Sequence, residues 1–228
     1  PSGMAAISAA LMVGLGQGKT LVLPSDGYYV SRVFSAGFLA PYGVRIIEAP
    51  ILKMQDFDYS GVDVVLLESP SNPGLDLCDI AAISAKVHAA GGIVMVDNTT
   101  MTPLLQRPLD LGADVVLASD TKAPAGHSDV LFGHVASRNA AFMARVLDWR
   151  RLSGAVPGAF EAWLLHRGLE TLELRLARMC ASAEVIATRL LDSGLVQNLR
   201  YPGLKSDASY PLACKQMQGF GFIMGFDL

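Results

Sequence analysis

Short apolar runs recur along the chain, and between them the apolar positions fall into helical spacing. Strands are predicted at Thr20–Leu23, Val44–Glu48, Val62–Leu67, Ile93–Asp97, Val115–Ala118 and Val130–Ala136. Helices are predicted near Ala5–Val13, Tyr29–Pro41, Ile80–Ala90 and Leu104–Leu111. The strand runs are apolar on both faces, as in a mostly parallel sheet with helices covering both sides, so the chain reads as α/β. In such sheets ligands gather at the carboxyl ends of the strands, where Asn72, Asp97 and Lys122 all fall.

Farther on, Leu169, Leu172, Leu176, Met179 and Ala183 keep a helical spacing, which predicts one long helix over Ala159–Leu191 with Gly194 ending it. Leu195–Arg200, the loop Tyr201-Pro202-Gly203 and the stretch Gly219–Leu228 predict the start of a smaller α+β domain. The expected division is a large ligand-binding domain over residues 1–175, then a linking helix and the beginning of a second domain over 176–228.

Composition narrows the class. The 228 residues are 51% apolar and 17% charged, enough to bury a sizeable core in one or two domains. Net charge is −3 with no block of like charges, so nothing invites nucleic acid or an anionic membrane surface. Cys78, Cys180 and Cys214 are odd in number and far apart, the pattern of reduced cytosolic thiols. The first eighteen residues carry no charge, but four glycines interrupt them and no basic segment leads them. They read as a buried helix rather than a signal peptide. The chain begins on Pro1 and stops within a strand-like alternation, as if cut from a longer protein.

Several motifs are candidates for chemistry. Ser2-Gly3-Met4 precedes a helix, and free amides at a helix N-terminus favour a phosphate, although such a start is more often only structural. Gly14-Leu15-Gly16-Gln17-Gly18-Lys19-Thr20 imitates a nucleotide-binding loop. It has Val13 where the first glycine belongs, and it joins a helix to a strand instead of the reverse. Tyr28, after the first strand, can stack on a flat ring and lend its hydroxyl to proton transfer. In Glu68-Ser69-Pro70-Ser71-Asn72-Pro73 the prolines stiffen a turn, and Asn72 can hydrogen-bond a ring oxygen. Asp97 ends a buried strand, where a carboxylate needs a cation such as a pyridinium nitrogen; a capping role is the plainer alternative. Ser119 and Thr121 set two hydroxyls beside Lys122. A lysine closing one strand and an aspartate closing the preceding one is the pair that pyridoxal phosphate requires, an amine to hold it and an acid to keep its ring protonated. Gly126-His127-Ser128-Asp129 is no catalytic triad, since sequence neighbours cannot adopt that geometry; His127, His88, His134 and His166 read as structural.

Together, Ser2-Gly3-Met4, the Glu68–Pro73 turn, Val96-Asp97-Asn98-Thr99, Ser119-Asp120-Thr121-Lys122 and Gly126-His127-Ser128-Asp129 resemble the Cys/Met-metabolism pyridoxal phosphate enzymes. Arg167-Gly168-Leu169-Glu170-Thr171-Leu172 with Arg175 is similar to that family's stretch after the cofactor domain. The resemblance implies an aspartate-aminotransferase-like fold with a seven-stranded type of sheet, and a homotetramer built from dimers that share active sites. It makes Lys122 the lysine that holds the cofactor and shuttles protons, and Asp97 the partner of the ring nitrogen. Tyr28 would stack on the ring, Asn72 would contact its oxygen, and Gly3, Met4, Ser119 and Thr121 would hold the phosphate.

This chain departs from the family pattern. Ala123-Pro124 follows the lysine where tyrosine is usual, and Tyr28-Tyr29-Val30 lacks the cysteine of methionine γ-lyases. Arg32 matches a substrate-side arginine only with one residue deleted. The N-terminal Tyr/Arg segment that reaches the neighbour's phosphate and the C-terminal arginine for the substrate carboxylate have no counterpart here. The implied activity is a cytoplasmic carbon–sulfur lyase of transsulfuration, with a sulfur amino acid as substrate and cystathionine γ-cleavage as the reaction. Cystathionine β-lyase, cystathionine γ-synthase, an O-acylhomoserine sulfhydrylase and a silent binding paralogue are the alternatives.

Overall fold

A computed structural model describes residues 1–228. Six strands form one sheet: β1 (Thr20–Pro24), β2 (Arg45–Ala49), β3 (Val64–Glu68), β4 (Ile93–Asp97), β5 (Val115–Ser119) and β6 (Gly133–Ser137), in the order β2-β1-β3-β4-β5-β6. The first five are parallel, and β6 runs antiparallel to β5. The chain thus carries six strands of the expected seven-stranded type of sheet. After β6 the chain enters a helix at once, because the Asn139 side chain accepts the amide of Phe142 and caps it.

Side chains alternate across the strands and build two cores. Leu21, Leu23, Leu66, Met95 and Leu117 face α1 (Gly3–Gly14), with Phe142 and Val146 behind it. Val22, Val65, Leu67, Val94 and Val96 face the other way, onto Ile80, Ile83 and Val87 of α3 (Ile80–Ala89). Burial on both faces explains why these strands carry no polar alternation. Ser2 caps α1, its hydroxyl accepting the amide of Ala5 at 3.1 Å.

Helical spacing overruns three real breaks. The Tyr29–Pro41 helix is α2 (Tyr29–Phe34) followed by a wider turn over Ser35–Leu39 and a tight one over Ala40–Tyr42. The Leu104–Leu111 helix is instead α4 (Thr102–Leu105), an extended Gln106 and a tight turn over Pro108–Leu111. Pro108 pushes Arg107 out of helical geometry. The long helix expected over Ala159–Leu191 is two, α6 (Ala159–Leu169) and α7 (Leu172–Ser193). They part where the carbonyl of Gly168 is taken by the Arg175 guanidinium. Gly194 does end α7, in the left-handed conformation.

Helix α5 (Ala140–Ser153) lay outside the sequence expectation, its apolar positions being diluted by Arg145, Asp148, Arg150 and Arg151. Beyond α7 come β7 (Gln197–Arg200), α8 (Tyr210–Gln216) and β8 (Gly225–Asp227), with β7 and β8 paired antiparallel. Only the last part of Gly219–Leu228 is strand. No helix is long and apolar enough to cross a membrane.

Candidate active site

The carboxyl ends of β1, β3, β4 and β5 lie side by side, and the N-terminus of α1 is wedged against the last of them. A Cβ on Gly3 would stand 2.6 Å from that of Ser119, so only glycine permits this approach. Gly3 and Met4 open the first turn of α1, where backbone amides have no partner within the helix, which leaves them free for an anion beside the Ser119 hydroxyl. Thr121 is differently engaged. Its hydroxyl donates to the carbonyl of Phe132 at 3.3 Å and accepts that residue's amide at 3.1 Å.

Asp97 ends β4 without an ion pair to any lysine, arginine or histidine. Its Oδ1 accepts the amide of Thr99 at 2.9 Å, and the Thr99 hydroxyl accepts the amide of Ser119 at 2.8 Å. Burial pushes its pKa up, while the hydrogen bonds from Thr99 and the nearby His134 oppose the rise. Behind it, Asn98 donates to the carbonyls of Thr102 and Gln106, and Gln106 donates to Asn98 and to the carbonyl of Ser69. This buried amide network fixes the turn that follows Asp97. A carboxylate with no ion pair at the end of β4, and free helix amides at the end of the neighbouring β5, fit a cationic ring carrying a phosphate.

Tyr28 stands at the start of α2, 37% exposed, with its amide donating to Glu68 Oε2 at 2.6 Å. Tyr28, Glu68 and Asp97 line one cleft of about 10 Å³. Lys122 is not brought into that cleft. It is exposed, on an open groove of about 980 Å³ that includes Thr121, Ala123, Asp129, Arg175 and Arg178. Asn72 is exposed in the turn after β3. Arg32 is committed elsewhere, paired with Glu48 at 3.6 Å and lying over the Tyr29 ring.

Two features escaped the sequence. Glu68 entered only as the start of a turn, yet it shares the cleft with Asp97. His134, structural by the sequence, bonds Asp120 at 2.8 Å just past the end of β5, and Asp97 is near enough to help raise its pKa, a proximity the sequence does not signal. The hydrogen bond to Asp120 is the main cause of that rise. Strand register brings these groups together, and no local motif signals it.

The sequence profile of the Cys/Met metabolism PLP-dependent enzymes matches residues 1–228. The chain belongs to that family. Pyridoxal phosphate is accordingly its cofactor. A Streptomyces coelicolor protein provisionally assigned as a cystathionine gamma-lyase is 46% identical over 228 residues, covering all of this chain and 58% of that protein. The L-methionine gamma-lyase of Pseudomonas deceptionensis is 38% identical over 232 residues, with the same coverage. Among solved structures, cystathionine gamma synthase from Xanthomonas oryzae pv. oryzae in complex with cystathionine superposes with a TM-score of 0.94 at 36% identity, over 99% of this chain and 59% of that one. The chain thus spans a little under three fifths of the relatives it matches.

Proposed function

We propose that the full-length protein is a carbon–sulfur lyase that cleaves cystathionine at Cγ, releasing cysteine, 2-oxobutyrate and ammonia. The observation that carries the reading is Asp97, a carboxylate without a cation at the end of a central strand, beside the free amides of α1. The family's cofactor, when bound, withdraws electrons from the substrate's α-carbon. Asp97 holds positive charge on the ring nitrogen. The Gly3 and Met4 amides and the hydroxyls of Ser119 and Thr121 bind the phosphate, Thr121 by exchanging its bonds to Phe132, and Asn72 contacts the ring oxygen. Lys122 tethers the cofactor, swinging from its groove towards Asp97, and then moves protons at Cα and Cβ. Tyr28 stacks on the ring and gives a proton to the departing thiol. Arg32 faces the substrate once released from Glu48. Further parts of the reading are a homotetramer of dimers and a cytoplasmic location.

The likeness to a γ-synthase structure supports a second reading, γ-replacement on the same scaffold. Incubation of the full-length protein with cystathionine tests both. Cysteine with 2-oxobutyrate supports γ-cleavage, and pyruvate with homocysteine means β-cleavage. Turnover only when an activated homoserine and a thiol are both supplied means synthase or sulfhydrylase. No turnover of any of these leaves a silent binding paralogue.

A further inference from the structure

Two acids share the cleft beneath Tyr28, and neither has a cationic partner. Glu68 and Asp97 are register partners, the last residues of β3 and β4, so both side chains leave adjacent strands toward one face. Like charges in a cleft too small for bulk water do not both ionise. The surroundings divide the pair. Glu68 is 9% exposed, and burial, then the charge of Asp97 and that of Asp26 in the turn after β1, push its pKa up to about 8 against the opposing hydrogen bond from the Tyr28 amide. Burial pushes Asp97 up as well, but the hydrogen bond from the Thr99 amide and the nearby His134 favour its charge. The proton therefore stays on Glu68 and the charge on Asp97.

Glu68 also has a mechanical part. Its Oε2 accepts the amide of Tyr28 at 2.6 Å, the contact that ties the turn after β1 to the end of β3. A Cβ at Gly27 would come within 2.7 Å of that same oxygen, so the preceding residue must be glycine for the contact to form. This bond spans forty residues of sequence. Asp26 braces the other side of the turn, accepting the amide of Ile51 at 2.8 Å.

We propose that Glu68 is a positioning residue of this site: a neutral carboxyl that pins Tyr28 by its amide and leaves Asp97 as the anion of the pair. Its bearing on catalysis rests on the roles proposed above for Tyr28 and Asp97.

The test is hydrogen exchange of the full-length protein, with and without cofactor, read at the peptide holding Tyr28. Glu68→Gln keeps a neutral acceptor of the same shape, and Glu68→Ala removes it. We expect wild-type protection in Glu68→Gln and exchange about tenfold faster in Glu68→Ala, in both forms of the protein. If Glu68→Ala does not fold, Glu68→Asp, which draws the carboxyl back by one carbon, is expected to show the faster exchange. An infrared band of a protonated carboxyl is expected in the wild type and lost in Glu68→Gln. Unchanged protection in Glu68→Ala or its substitute, fast exchange in Glu68→Gln, or a band that survives Glu68→Gln would each overturn the proposal. The expected exchange and band in a protein that never holds cofactor on Lys122 would uphold the clamp and sink the lyase reading.

Discussion

The guanidinium of Arg175, on α7, donates to the carbonyl of Ala123 at 2.7 Å, one residue past Lys122. The same group takes the carbonyls of Pro124 at 3.1 Å and Gly168 at 2.7 Å and the hydroxyl of Thr171 at 3.0 Å. One side chain thus fastens the loop that bears Lys122 to α6 and α7. Only a planar fork with several donors reaches all four acceptors.

Arg175→Lys is therefore expected to lower stability by about 2 kcal/mol, since most of the acceptors lose a charged donor. Thermal unfolding measures the loss. The fraction of Lys122 that can be fixed to cofactor should fall with it. An unchanged midpoint would show that the loop holds itself.

Gly3→Ala puts a methyl group 2.6 Å from the Ser119 Cβ, against backbone that cannot yield cheaply. The expected cost is about 1–3 kcal/mol, as for other overpacked sites. Phosphate affinity should weaken as well, because the α1 amides move away from Ser119. Titration of cofactor into the cofactor-free protein, followed by absorbance, checks the second effect.

The His134–Asp120 bond predicts a pH dependence of stability. His134 has its pKa raised in the folded state, so its contribution is full below the unfolded value of about 6.5 and is lost as pH rises through the folded value. Its ring is 38% exposed, so solvent screening holds the effect to about 1 kcal/mol. Denaturant unfolding of the wild type and His134→Gln should differ most below about pH 6.5 and converge at alkaline pH. A difference that grows with pH would contradict the assignment.

The sequence disclosed most of the sheet, because strands buried on both faces leave unbroken apolar runs and polar residues only at their ends. Asp97, Ser119 and Lys122 stood out for that reason. It did not disclose where Ala159–Leu191 breaks, since apolar spacing continues through Glu170-Thr171 while the carbonyl of Gly168 turns to the Thr171 amide and the Arg175 guanidinium. Nor did it disclose Glu68 beside Asp97, a pair set by strand register, or Asp120, just past β5, beside His134 on β6. Thr121 shows the same limit from another side. Its hydroxyl is legible in the motif, but its engagement by Phe132 is not.

The central claim is that Lys122 and Asp97 serve one cofactor, although they line different cavities here. The most direct measurement is borohydride reduction of the purified full-length protein with cofactor, followed by digestion and mass analysis. A pyridoxyl phosphate adduct is expected on the peptide containing Lys122, absent in Lys122→Ala and much reduced in Asp97→Asn. An adduct on another lysine, or none in the wild type, would contradict it.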